Sequence, residues 1–275
     1  MRKLSRGFCA QTSICSVLAA ALAATGFASR AMAVSEIQNG NAVAQFNSRG
    51  SLVGLVVNNT TEFASQDYWY HVGNTNTPNS LLESLPNTQN FGTDFLQADY
   101  TGSGFTVDIT YLLTGGVGNS PASLSETLDI TNTGQGPLSM HFLEFNAFGL
   151  DDSLTGNTAS ITGGNTANQT GPRGTTLTET VTPPNEYQTD SDAAIIDSLD
   201  GGNPTTLNND GDLTPAGEPE FAFQWDPSIN AGSSFLISKV ATITPAVPLP
   251  PAAATGLFTL IGLGLFALVR RKLIA

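Results

Sequence analysis

Apolar and polar residues alternate with a period of two through the middle of the chain. From Phe105 to Leu113, the residues Phe105, Val107, Ile109, Tyr111 and Leu113 share one parity, while Thr106, Asp108, Thr110 and Leu112 take the other. This predicts a strand with one buried face. Ser123 to Thr131 repeats the pattern, with Leu124, Leu128 and Ile130 set against Ser125, Thr127 and Asp129. The turn residues Asn132-Thr133-Gly134 and Gly136-Pro137 follow and predict a hairpin. Its return strand, Leu138 to Leu150, is apolar on both parities (Leu138, Met140, Phe142 and Phe148 against Leu143 and Phe145), as a central strand covered on both faces should be.

Further strands are expected at Ala42 to Asn47, Leu52 to Val57, Asp67 to Val72, Phe95 to Tyr100, Thr176 to Val181, Phe221 to Trp225 and Phe235 to Ile243. That makes about ten in all. No stretch holds a 3.6-residue period with capping signals, and Gly, Asn and Pro punctuate the strands without intervening helices. The fold class that follows is all-β, an antiparallel β-sandwich occupying residues 34 to 244. Two stretches lack strand character and are expected as long exposed loops: Thr155 to Gly174, rich in Thr, Asn and Gly, and Asp197 to Glu220, acidic and Pro-rich.

The ends follow a different logic. Arg2, Lys3 and Arg6 precede a short apolar stretch from Ile14 to Ala24, and Ala31-Met32-Ala33 offers a small-residue cleavage site. Residues 1 to 33 therefore read as a signal peptide, with Val34 as the mature N-terminus. At the other end, Val247, Pro248, Leu249 and Pro250 precede an uncharged apolar run from Ala252 to Val269, followed by Arg270, Arg271 and Lys272. Such a run, about 18 residues long, reaches about 27 Å as a helix, close to a bilayer core of roughly 30 Å. The basic cluster after it would stay cytoplasmic and leave everything before the helix outside.

In its order of proline motif, apolar helix and basic cluster, the segment 247 to 275 resembles the PEP-CTERM family of bacterial sorting signals, in its VPLPA-type variant. The resemblance covers about a tenth of the chain and departs from the namesake pattern at Leu249, where Glu would stand. It implies recognition by an exosortase-type sorting enzyme, membrane attachment through the helix before sorting, and delivery to the surface or matrix of a polysaccharide-exporting bacterium. The segments LSETLDITNTG, SMHFLEFNAFGL and FAFQWDPSINAGSSFLISK also resemble β-sandwich domains of exported proteins with such tails.

Charge divides the chain in the same way. All 23 Asp and Glu lie between Glu36 and Asp226, whereas the exported part keeps only Arg49, Arg173 and Lys239. Its formal balance is 3 minus 23, or −20, against −13 for the whole chain. Such a field repels phosphate backbones, so nucleic acid is excluded as a partner. Cys9 and Cys15 both fall in the signal segment, which leaves the exported domain without a disulfide or thiol chemistry.

Catalytic signatures are missing from this inventory. With only two histidines, His71 and His141, and no cysteine after residue 33, no nucleophile–base pattern is recognisable. His141 and Glu144 are three apart, which in a strand puts them on opposite faces. No catalytic residue follows, and the expected role is non-enzymatic: a surface or matrix protein, with a carbohydrate-binding module or a glycan hydrolase as alternatives. Tyr68, Trp69 and Tyr70 are the candidates for stacking on sugar rings, as part of an extracellular polysaccharide contact. Asn208, Asp210 and Asp212 around Gly211 are the candidates for calcium, although Thr206 and Gly217 stand where the end ligands of a calcium loop belong. No other cofactor is expected.

Overall fold

The computed structural model describes residues 34–62, 65–73, 78–191, 193–201, 205–214 and 217–247. The signal-peptide segment, most of the sorting motif, the apolar run 252–269 and the basic cluster lie outside the described residues. Among those described, no helix is long and apolar enough to cross a membrane.

The alternation seen in the sequence becomes three antiparallel sheets. A four-stranded meander holds β1 (Ser35–Asn39), β2 (Ala42–Phe46), β3 (Leu52–Val57) and β4 (Thr60–Thr61) in that order. A six-stranded sheet contains β5 (Ser65–Val72), β6 (Ser80–Leu81), β11 (Leu138–Ala147), β15 (Glu186–Ser191) and β16 (Pro219–Trp225), with the short β17 (Ser228–Ile229) added to β11. The eight-stranded sheet is built from β7 (Asn87–Phe91), β8 (Phe95–Gly102), β9 (Phe105–Thr114), β10 (Ala122–Asn132), β12 (Thr158–Thr162), β13 (Thr166–Thr170), β14 (Thr176–Val181) and β18 (Ser234–Thr244). Its order is β12-β13-β14-β18-β10-β9-β8-β7, and the six-stranded order is β15-β16-β11-β5-β6.

The inward faces of the two large sheets make the main core. Val107, Ile109 and Tyr111 of β9, Leu124, Leu128 and Ile130 of β10, and Phe142, Phe221, Phe223 and Trp225 from the facing sheet are all buried. Each such side chain contributes about 1.5–3 kcal/mol by leaving water. The meander joins this core through Phe46, whose ring lies 4.8 Å from that of Tyr111 and 6.5 Å from that of Phe91. A second, smaller core lies on the outer face of the six-stranded sheet. There the helix α1 (Ala194–Asp200) lays Ile195 and Leu199 over Trp69, Leu143, Phe145 and Ala222. β11 is therefore covered on both faces, as its double parity predicts.

Three expectations are corrected. β10 and β11 do not form a hairpin: β10 pairs with β9 and β18, while β11 pairs with β5 and β16. The turn between them is an arch that carries the chain from one sheet to the other. Buried Asn132 clamps it by donating to the carbonyls of Gly136 and Ile229, both at 2.8 Å, and accepting the amide of Gly134. The stretch Thr155 to Gly174 is not a loop but holds the β12–β13 hairpin, whose inward residues Ala159, Ile161, Ala167 and Gln169 include a single large apolar side chain and so escape a hydrophobicity pattern. Within Asp197 to Glu220, α1 ends, Leu207 is buried against the outer face and β16 begins, while Asn208 to Leu213 is the largely exposed loop expected. The strands also exceed the ten expected, because short edge pieces such as β4, β6 and β17 carry too few residues to show a period.

Candidate functional site

Register between β5 and β11 decides what the six-stranded sheet presents. His141 pairs with His71, Leu143 with Trp69 and Phe145 with Asp67, and these point to the outer face. The alternate pairs, Phe142 with Tyr70, Glu144 with Tyr68 and Asn146 with Gln66, point inward. His141 and Glu144 thus lie on opposite faces, as their spacing requires.

Helix α1 and Leu207 cover the outer face over Trp69 and Phe145, and His71, farther along β5, is itself buried at 6% exposure. The two imidazole rings stack at 4.1 Å with an interplanar angle of 21°. His141 Nδ1 lies 2.7 Å from Asp226 Oδ1, and these side chains keep 24% and 29% of their surface exposed. The contact is close enough for an ion pair but off the line of a hydrogen bond, so Nδ1 has no hydrogen-bonded partner. His71 Nδ1 is 2.9 Å from Asn79 Oδ1. Asp226 is itself fixed: Gln224 Nε2 donates to both its oxygens at 2.9 and 3.1 Å, and its amide donates to Asn185 Oδ1 at 2.9 Å. A carboxylate that orients one imidazole beside a second gives neighbouring groups able to accept and to donate a proton. The cluster is not visible in the sequence, because it requires the β5–β11 register and the return of Asp226 from the far end of β16.

The other candidates fare differently. Tyr68 is buried in the main core and donates to Glu126 Oε2 at 2.6 Å. Trp69 is buried on the opposite face with its ring edge-on to Phe145 at 6.0 Å. Tyr70 packs edge-on to Phe105 at 5.2 Å. The three therefore form no open aromatic ledge, because two sides of one strand are each covered by a core. Asn208, Asp210 and Asp212 line a shallow open depression with Ile161 and Tyr187. Asn208 Oδ1 accepts the Asp210 amide at 2.8 Å and Asp210 Oδ1 accepts the Asp212 amide at 3.0 Å, so two of the three side chains bend back to hold their own turn. No group of three His, Cys, Asp or Glu among the described residues is arranged to hold a metal ion.

Between the sheets lies a second polar cluster, closed to solvent. Lys239 of β18 sits among Glu126 of β10, Glu179 of β14 and Glu144 of β11, all buried. Its Nζ is 3.2 Å from Glu126 Oε1 and 3.4 Å from Glu179 Oε2, with a closer contact to Glu144 Oε1. Burial by itself would lower the lysine, but the three carboxylates outweigh it and hold the ammonium charged. Gln66, Tyr68 and Asn146 complete the network. No substrate reaches these groups.

No protein-family model matches the sequence, and no curated protein matches it. Its fold is shared with solved structures. A candidate aldose 1-epimerase from Escherichia coli K12 superposes with a TM-score of 0.51 at 13% identity, covering 77% of this chain and 99% of that one. A protein of Synechocystis sp. PCC 6803 gives 0.53 at 10% identity over 81% of this chain and 99% of that one. A bacterial glucoamylase in complex with acarbose gives 0.54 at 12% identity over 82% of this chain but 34% of its own. This likeness is one of fold, and it overturns the expectation of a non-enzymatic structural or adhesive surface protein. The architecture is one that carbohydrate-active enzymes use.

Proposed function

We propose that this chain is a carbohydrate-active protein that moves protons at the anomeric centre of a sugar, with His71, His141 and Asp226 as the working groups. The observation that carries the reading is the stacked histidine pair with Asp226 against His141, in which His141 and Asp226 keep part of their surface exposed and His71 is buried beside them. Opening a pyranose ring needs a base for the anomeric hydroxyl proton and an acid for the ring oxygen, and two neighbouring imidazoles supply both roles. Asp226 is a positioning residue that keeps His141 in one orientation. The fold shared with a candidate aldose 1-epimerase supports the same chemistry.

The signal-peptide and sorting-tail features place this activity, on our reading, outside the cytoplasm, where extracellular polysaccharide or its released sugars would be the substrate. The test is interconversion of sugar anomers, followed by polarimetry or exchange NMR on a panel of aldoses and reducing oligosaccharides. Acceleration over buffer, lost in His71→Ala and His141→Ala and reduced in Asp226→Asn, is expected. A panel that shows no acceleration with the folded protein would refute the proposal.

A further inference from the structure

The buried cluster between the two large sheets has more acceptors than donors. Lys239 faces three carboxylates, so with all groups ionised the site carries a formal charge of −2 with no solvent to screen it. Its donors are already committed. Gln66 Nε2 donates to Glu126 Oε1 and Oε2 at 3.1 and 2.9 Å, and Tyr68 adds its hydroxyl to Glu126 Oε2. Asn146 Nδ2 donates to Glu144 Oε1 at 2.8 Å and to Glu179 Oε1 at 3.2 Å. Glu126 is thus fully supplied, and Glu144 takes the closest approach of Lys239. Left without a hydrogen bond are Glu144 Oε2, Glu179 Oε2 and Asn146 Oδ1, every one an acceptor. At 3.4 Å, Lys239 lends Glu179 Oε2 charge but no hydrogen bond.

One added proton resolves both imbalances: it turns an unpaired acceptor into a donor and removes a buried negative charge. Glu179 is the carboxyl farthest from Lys239 and the one with fewest donors. We propose that Glu179 of the eight-stranded sheet keeps a proton in the folded protein and donates it toward the unpaired oxygens of β11, so that alkaline pH unfastens a proton latch between the two sheets. Burial drives Glu179 well above the usual carboxyl range; Lys239 opposes this, while Glu144 and Glu126 reinforce it. The groups facing the cluster are Glu126 (β10), Glu144 (β11), Lys239 (β18), Tyr68 (β5) and Tyr111 (β9), and both tyrosines are held neutral by burial. The latch lies on the opposite face of β5 and β11 from the histidine pair and farther along both strands, behind Leu143 and Trp69.

The experiment compares the pH dependence of urea unfolding of the full chain with that of its Glu179→Gln and Glu126→Gln variants between pH 6 and 10. Glutamine keeps a donor at position 179 without a titrating proton. The wild type should lose stability as pH rises from 6, with a slope about one proton steeper than Glu179→Gln until the folded Glu179 gives up its proton, where the two slopes converge; Glu126→Gln keeps the wild-type slope. Parallel wild-type and Glu179→Gln profiles would overturn the latch. Should Glu179→Gln fail to fold, infrared spectroscopy of the wild type decides: a protonated carboxyl band persisting in folded protein at pH 8 supports the proposal, and its absence overturns it. Neither readout depends on sugar chemistry, so the latch and the proposed activity stand or fall separately.

Discussion

Replacing Lys239 by Met tests whether the buried cluster is held by charge. The substitution keeps an unbranched chain of similar length in the core, so packing changes little, while the one cation beneath Glu126, Glu144 and Glu179 disappears. Removing one partner of a buried ion pair costs about 3–5 kcal/mol, because the charges left behind are neither solvated nor paired. That cost must depend on pH. At pH 5 the remaining carboxyls avoid it by binding protons, and the loss should shrink to about 1–2 kcal/mol; at pH 8 holding those protons is itself unfavourable, and the loss should reach about 4 kcal/mol. Urea unfolding followed by the emission of Trp69 and Trp225, both buried, reads this directly. A loss of equal size at the two pH values, or one below about 1 kcal/mol at pH 8, would refute the account of the core as electrostatically balanced.

Three further outcomes are expected. Burial raises Glu62, Asp67 and Glu220 each to about 7, so the folded state binds protons that the unfolded chain has released; their stabilisation is complete below pH 4 and is lost as pH rises toward 7, and unfolding free energies that stay flat from pH 4 to 7.5 would contradict it. Trp69→Ala should lower stability by about 3–5 kcal/mol through the cavity it leaves beneath α1, while anomer interconversion in the surviving folded fraction persists. Mass spectrometry of protein from the native host should find Val34 at the N-terminus and no peptide containing Arg270 to Lys272, whereas intact C-terminal peptides in the mature protein would count against tail processing.

Much of the sandwich was legible because its strands obey a period of two. β9 and β10 fall within a residue of their expected bounds, and β11 starts where expected but ends three residues earlier, at Ala147. What alternation cannot carry is pairing. The turn after β10 has hairpin chemistry, yet the chain crosses to the other sheet, because the choice depends on Asn132 reaching the carbonyl of Ile229, 97 residues away. β12 and β13 are hidden for another reason: their inward positions are filled by two Ala, one Ile and the buried polar Gln169, so they show no apolar stripe. The histidine site depends on both kinds of hidden information, since it joins residues from β5, β11 and the end of β16.

The buried charges, by contrast, are legible in the pattern. Glu126 stands between Leu124 and Leu128, Glu179 between Leu177 and Val181, and Lys239 between Ile237 and Ala241, each at a position whose neighbours two residues away face the core. A charged residue at inward parity has only two outcomes, a broken strand or a partner across the sheet, and three such positions of mixed sign predict a shared site. The same rule explains why a domain with so few cations spends its only lysine indoors. On the surface, Lys239 would relieve one repulsion among many at high dielectric; between the sheets it decides whether three carboxylates can be buried at all. Hydrophobic side chains bring the two sheets together, but only pairing of these particular groups fixes which residues of β11 face β14 and β18. The register that results on the inner face of β11 also fixes, on its outer face, the place where His141 meets His71.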